Sequence, residues 1–153
     1  MTTVHETITI NATREQIRPI FFDPEKLRAR EESIYHYQPD EQWPAVGATN
    51  EVGFKSFLTN FDAVSTCLAY DPETMRLEFD QVAAGHEPAR WLYTFDEQDG
   101  KTAVSLTINY TLPGKWLGQV VDRLLVERKN RQQVIESLAA LKQQVEESIA
   151  EPA

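Results

Sequence analysis

The 153-residue sequence predicts an α+β fold: a curved antiparallel sheet of about seven strands wrapped around one long C-terminal helix, with two short helices after the first strand. Three observations predict it. Between residues 49 and 111 apolar side chains recur with period two, the mark of strands with one dry and one wet face. Past Pro113-Gly114 the period changes to 3.6, and no breaker follows before Pro152. The order of elements then leaves a wide sheet with a single long helix to cover its dry face, so the sheet must curl around that helix.

The elements follow in order. Val4–Ile10 alternates with β-branched residues throughout and reads as a strand. Thr13 followed by Gln16 is a capping-box pattern, opening a short helix that Pro19 is expected to kink or break. Asp23-Pro24 caps and starts a second short helix. Ser33–Gln38 is a short aromatic strand, followed by a loop rich in breakers around "EQWPAVG". Thr49–Leu58 and Phe61–Tyr70 read as a hairpin. "DPET" is a turn leading into Met75–Val82. Arg90–Asp96 and Lys101–Thr111 pair across the turn "EQDGK". Repeats, linkers and low-complexity tracts are absent from the sequence, which reads as one domain over 1–153.

Charge and composition exclude several function classes. The net charge of -9 argues against nucleic acid as a partner, since phosphate binding needs a concentrated basic surface. Apolar runs fall far short of the roughly 20 residues of a membrane span, so no stable membrane insertion is expected. The opening "MTTVHETITI" lacks the basic and hydrophobic regions of a signal peptide. A single cysteine, Cys67, forbids an internal disulfide and fits a reducing cytoplasm. His5, His36 and His86 have no metal-ligand spacing, so no metal and no cofactor is expected.

The opening "VHETITINATREQI", the "FFDPEKL" between the short helices, the hairpin "WLYTFDEQDGKTAVSLTINYTLPG" and the helix "LGQVVDRLLVERKNRQQVIESLAALKQ" together resemble the SRPBCC superfamily, also called START or birch-pollen-allergen-like. The likeness is greatest to its polyketide cyclase/dehydrase and lipid transport branch. The resemblance implies a helix-grip fold with a cavity for lipids, sterols, polyketides or hydrophobic hormones, and cyclase or hydrolase activity in a minority of members. No motif in the match is catalytic by itself.

In such a fold the dry faces line the cavity. The expected sheet-side set is Phe54, Met75, Leu77, Phe79, Trp91, Tyr93, Phe95, Leu106, Ile108 and Tyr110, faced from the helix by Val121, Leu124 and Ile135. The expected ligand is a small hydrophobic or amphipathic molecule. The apolar stripe of the helix runs Leu117, Val121, Leu124, Ile135 and Leu138, and Arg128 and Arg131 fall inside its arc, where an unpaired guanidinium would be costly. Three readings stand. The arginines lie at an open mouth with their heads in water; or they pair with a buried acid such as Glu6; or one binds the acidic end of an amphipathic ligand through its planar donor fork. His36 could titrate inside the cavity, and His86-Glu87 falls on a rim loop. Tyr35, Tyr37, Tyr93 and Tyr110 offer phenols to a ligand carbonyl. Trp43 and Trp116 fall near loops. A binding protein, a cyclase-like enzyme drawing on Tyr93, Tyr110, His36 and Arg128, and an interaction module with a filled core all remain open. The protein is expected as a monomer or homodimer.

Overall fold

The computed structural model describes residues 1–55, 60–111 and 123–151. Its seven strands form one antiparallel sheet in the order β1-β7-β6-β5-β4-β3-β2. They are β1 (Thr2–Ile10), β2 (Ile34–Pro39), β3 (Thr49–Lys55), β4 (Asn60–Tyr70), β5 (Leu77–Ala83), β6 (Ala89–Gln98) and β7 (Lys101–Tyr110). The helices are α1 (Arg14–Phe21) and α2 (Pro24–Arg30), and α3 (Arg123–Ala150) closes the chain. After β1 the chain crosses through α1 and α2 to the far edge. It then returns strand by strand until β7 pairs with β1 along its whole length, from Thr2↔Tyr110 to Ile10↔Thr102. The sheet curls around α3, which packs on β1, α1 and α2.

Local chemistry fixes the two short helices. The Thr13 hydroxyl accepts from the Gln16 N–H while the Gln16 side chain accepts from the Thr13 N–H, a complete capping box. Asp23 caps α2 and Pro24 occupies its first turn. Contrary to the expectation of a break, α1 runs through Pro19 to Phe21. Phe21 then meets Tyr93 and Phe95 edge-on at 4.9 and 5.0 Å, anchoring the α1 end on the sheet.

The period-two reading of the sheet holds. Leu77, Phe79, Tyr93, Phe95, Leu106 and Ile108 are all buried on the inner face. Met75 is fully buried as well, but from the turn before β5, where its φ of 63° ends the extended pattern. Asp99 and Gly100, with φ of 56° and 78°, make the β6–β7 turn, a pair of left-handed residues that matches the strand twist.

Gly53 on β3 has a different reason to be glycine. A Cβ there would stand 2.5 Å from Cζ of the Tyr35 ring, which lies over it from β2 and donates its hydroxyl to Asp62 on β4. Gly53→Ala should push the ring off and break that bond. The expected loss is about 1 kcal/mol, an ordinary single-substitution effect, because Tyr35 is part-exposed and can swing aside. Urea denaturation checks it, and Tyr35→Phe in the Gly53→Ala background should then add little further loss.

The expected apolar stripe of the last helix is out of phase. Val126, Val134, Leu138, Leu141 and Val145 are the buried apolar residues of α3, whereas Leu124 and Ile135 are 51% and 40% exposed. Of the expected stripe only Leu138 faces inward among the described residues, and Leu117 and Val121 lie outside them. The two stripes lie about 100° apart, one residue's turn of the helix, so Leu138 belongs to both while Leu124 and Ile135 turn outward.

Candidate functional site

Between α3 and the β3–β7 part of the sheet lies a cavity of about 210 Å³. Sheet-side walls come from Phe54, Phe61, Trp91, Leu106, Ile108 and Tyr110, and α3 contributes Val126, Asn130, Gln133, Val134 and Ser137. The room comes from small residues: Ala63 and Ala83 are buried cross-strand partners on β4 and β5, and both line the space. A smaller recess of about 80 Å³ opens against Phe21, Phe22, Arg30, Tyr37, Trp43, Asn50, Leu77, Phe79 and Tyr93. Glu31, Phe54, Gln81 and Trp91 belong to both walls, so the two spaces share a partition.

The sequence-predicted residues divide accordingly. Phe54, Trp91, Leu106, Ile108 and Tyr110 line the larger space, while Leu77, Phe79 and Tyr93 line the smaller, which Phe54 and Trp91 also border. Met75 and Phe95 are packed in the core and line neither. Leu124, Arg128 and Arg131 line neither, because all three point outward on α3. Val121 lies outside the described residues. Arg131 reaches Glu6 of β1 at 3.6 Å, with both side chains in contact with solvent, a surface ion pair worth little.

His36, His86 and Trp43 also have defined places, and Trp116 lies outside the described residues. His36 is half-exposed and 4.0 Å from Glu51 on the edge strands, away from the cavity. His86 and Glu87 do border the larger cavity, with His86 stacked on Phe61 at 5.4 Å. Trp43 is not a loop-tip aromatic. It sits after the β2 edge, meets Phe79 edge-on at 5.6 Å and closes one side of the smaller recess.

Sequence reasoning missed the polar heart of the site. Arg30 is 7% exposed and donates to the carbonyl oxygens of Ile20 and Phe21 at 3.3 and 2.9 Å and to Gln144 at 3.4 Å. Its guanidinium carbon lies over the Phe21 ring, 5.4 Å from the centroid. Burial pulls its pKa down. The neighbouring Glu31 accepts a hydrogen bond from the Ser137 hydroxyl of α3. Burial pushes its carboxyl pKa up, and the Ser137 hydrogen bond and the Arg30 charge offset this only in part. Burial likewise raises the phenols that border the recess, Tyr37 to about 12 and Tyr93 further. Asn50 Oδ1 and Trp91 Nε1 are buried without a hydrogen-bond partner among the described residues, an acceptor and a donor left for something else. Gln81 instead donates to Ser65 at 3.3 Å. One sequence signal could have found this face: Asn130, Gln133 and Ser137 recur at helical spacing between Val126 and Leu138.

The raised Glu31 pKa has a consequence for stability. The folded protein holds this proton to a higher pH than the unfolded chain does. Its contribution is therefore fully present below the ordinary carboxylate range and is lost as pH rises through the raised value. Glu31→Gln keeps an oxygen for Ser137 and removes the charge. It should melt higher than the parent protein near pH 7.5, with the gain shrinking toward pH 4. An equal gain at both pH values would show that burial does not disfavour the carboxylate.

A model of the family described as polyketide cyclase / dehydrase and lipid transport matches residues 1–146. The chain belongs to this family. Solved structures share its helix-grip fold. A Thermus thermophilus protein superposes with a TM-score of 0.78 at 19% identity, over 96% of this chain and 99% of that one. The Zhui aromatase/cyclase from a Streptomyces species gives 0.78 at 14% identity, over 97% and 95%. Major latex-like protein 151 from Panax ginseng gives 0.68 at 13% identity, over 94% and 96%. At these identities the likeness is one of fold. No curated protein matches the sequence at a significant level. Among the described residues no helix is long and apolar enough to cross a membrane.

Proposed function

We propose that this polyketide cyclase family protein binds a small hydrophobic or amphipathic molecule in the cavity between the sheet and α3. The observation that carries the reading is an aromatic-walled space of about 210 Å³. An apolar cavity of roughly 150 Å³ holds a benzene ring, so this one suits a ligand of one or two rings. An interaction module would need that space filled, and the cavity speaks against it. The aromatic-acid form of the reading loses the support of Arg128, which stands outside the cavity on the far side of the helix. A cytoplasmic setting belongs to the same proposal, with the lone buried thiol of Cys67 in its favour.

The test is mass spectrometry of freshly purified protein, native and then denatured, followed by titration with neutral aromatics such as 2-naphthol under tryptophan fluorescence. A co-purified small molecule or saturable quenching supports the reading. A clean apo mass with no saturable response overturns it.

A second reading is favoured by Glu31 alone. A carboxyl whose pKa burial raises, on one recess with the phenols of Tyr37 and Tyr93, is placed to exchange a proton with a ligand carbonyl, as a cyclase or dehydratase requires. The set first expected for that role does not converge: Tyr93 and Tyr110 border different spaces, and His36 and Arg128 border neither.

A further inference from the structure

We infer that the cavity selects hydrophobic organic cations, aryl-alkyl amines whose ammonium group pairs with Glu31, an inference that rests on the ligand-binding reading above. The charge of the walls points there first. Among the described residues, the larger cavity is bordered by Glu31 and Glu87 and by no lysine or arginine. Its walls are aromatic faces, Phe54, Phe61, Trp91 and Tyr110, whose negative π surfaces attract a cation.

Glu31 itself lacks a cation in hydrogen-bonding geometry among the described residues. It accepts from Ser137 of α3. Arg30, its neighbour in α2, spends its donors on two backbone carbonyls and on Gln144. The other titratable groups that influence the pair are the Asp23 carboxylate, which acts on Arg30, and the phenols of Tyr93 on β6 and Tyr37 on β2, both neutral at physiological pH. An incoming ammonium would therefore meet a part-buried carboxyl with capacity to spare.

A second observation, independent of the carboxylates, is Asn50. It is only 4% exposed and lines the smaller recess, and its buried Oδ1 has no donor among the described residues. That recess shares the Glu31 wall, so both spaces present acceptors that want an N–H or O–H. The Trp91 indole N–H, also unpartnered there, leaves room for one oxygen on the same ligand. The net charge of -9 steers a cation toward the protein and an acid away.

The experiment compares three ligands of one skeleton at pH 7: 3-phenylpropylamine, 3-phenylpropan-1-ol and 3-phenylpropanoate, by calorimetry on the full chain. The amine should bind about tenfold or more tighter than the alcohol, the scale of one partly buried ion pair, and the acid weakest of all. Glu31→Gln, checked for folding by its melting temperature, should bring the amine down to the alcohol. An alcohol that binds as well as the amine, or an amine preference that survives Glu31→Gln, overturns the cation inference and leaves the binding reading standing. Binding by none of the three overturns both.

Discussion

Arg30→Met should destabilise the fold by about 3 kcal/mol. The side chain is nearly isosteric along its stem, so little packing is lost. What goes is the donor fork. Ile20 and Phe21 carbonyls at the end of α1 both accept from this one guanidinium, and Gln144 of α3 takes a third, longer bond. The Phe21 carbonyl, left without a donor, costs roughly 1–3 kcal/mol, and the Ile20 carbonyl, which keeps the Asp23 N–H at 3.3 Å, loses roughly 1 kcal/mol with its second bond. The lost contact with the Phe21 ring adds roughly 1 kcal/mol. Against this, a buried charge no longer has to be desolvated, and that relief keeps the total well below the sum. Arg30→Lys should rescue little, because one ammonium cannot span two carbonyls as a planar fork does. Guanidinium denaturation of both variants measures this. A loss under about 1 kcal/mol for the methionine variant would mean that water reaches the carbonyls, and that Arg30 is not the pin between the crossover helices and α3.

Nothing in "KLRAREES" announces that role. The segment reads as a solvated charge run, and α2 is too short for periodicity to show which face it buries. Burial of Arg30 and Glu31 is decided by where α3 passes, a contact more than a hundred residues away in sequence. The sheet was legible for the opposite reason. Each strand alternates against solvent on one face, so Phe79, Tyr93 or Leu106 declares its side locally.

The helix misled because of the cavity itself. A helix face that packs on side chains must be apolar, but a face over an open space need not be. On α3 that inner face carries Asn130, Gln133 and Ser137, while Leu124, Leu125 and Ile135 stand exposed on the outside. Apolar periodicity therefore fitted the wrong arc, and Arg128 and Arg131 looked interior when they are not. The puzzle of two guanidinium groups in a buried stripe dissolves once the stripe is drawn through Val126, Val134, Leu138, Leu141 and Val145.

If the polar residues of α3 face a real void, Ala83→Phe should abolish ligand binding, by about 100-fold or more, without unfolding the protein. Ala83 is 7% exposed on β5, opposite Ala63, and borders the larger cavity. In a close-packed core an added phenyl ring has nowhere to go and costs roughly 1–3 kcal/mol or more. Here it projects toward Phe61 and Trp91, into a space larger than a benzene ring occupies. Filling it removes apolar surface from water at about 25 cal/mol per Å², so stability should stay level or rise by up to about 1 kcal/mol. The sign is informative without any ligand in hand. A variant that keeps or gains stability in urea reports an empty, apolar space beneath α3. A variant that loses about 2 kcal/mol or more reports a core already full, and with it the binding reading and its dependence on Glu31 would both fall.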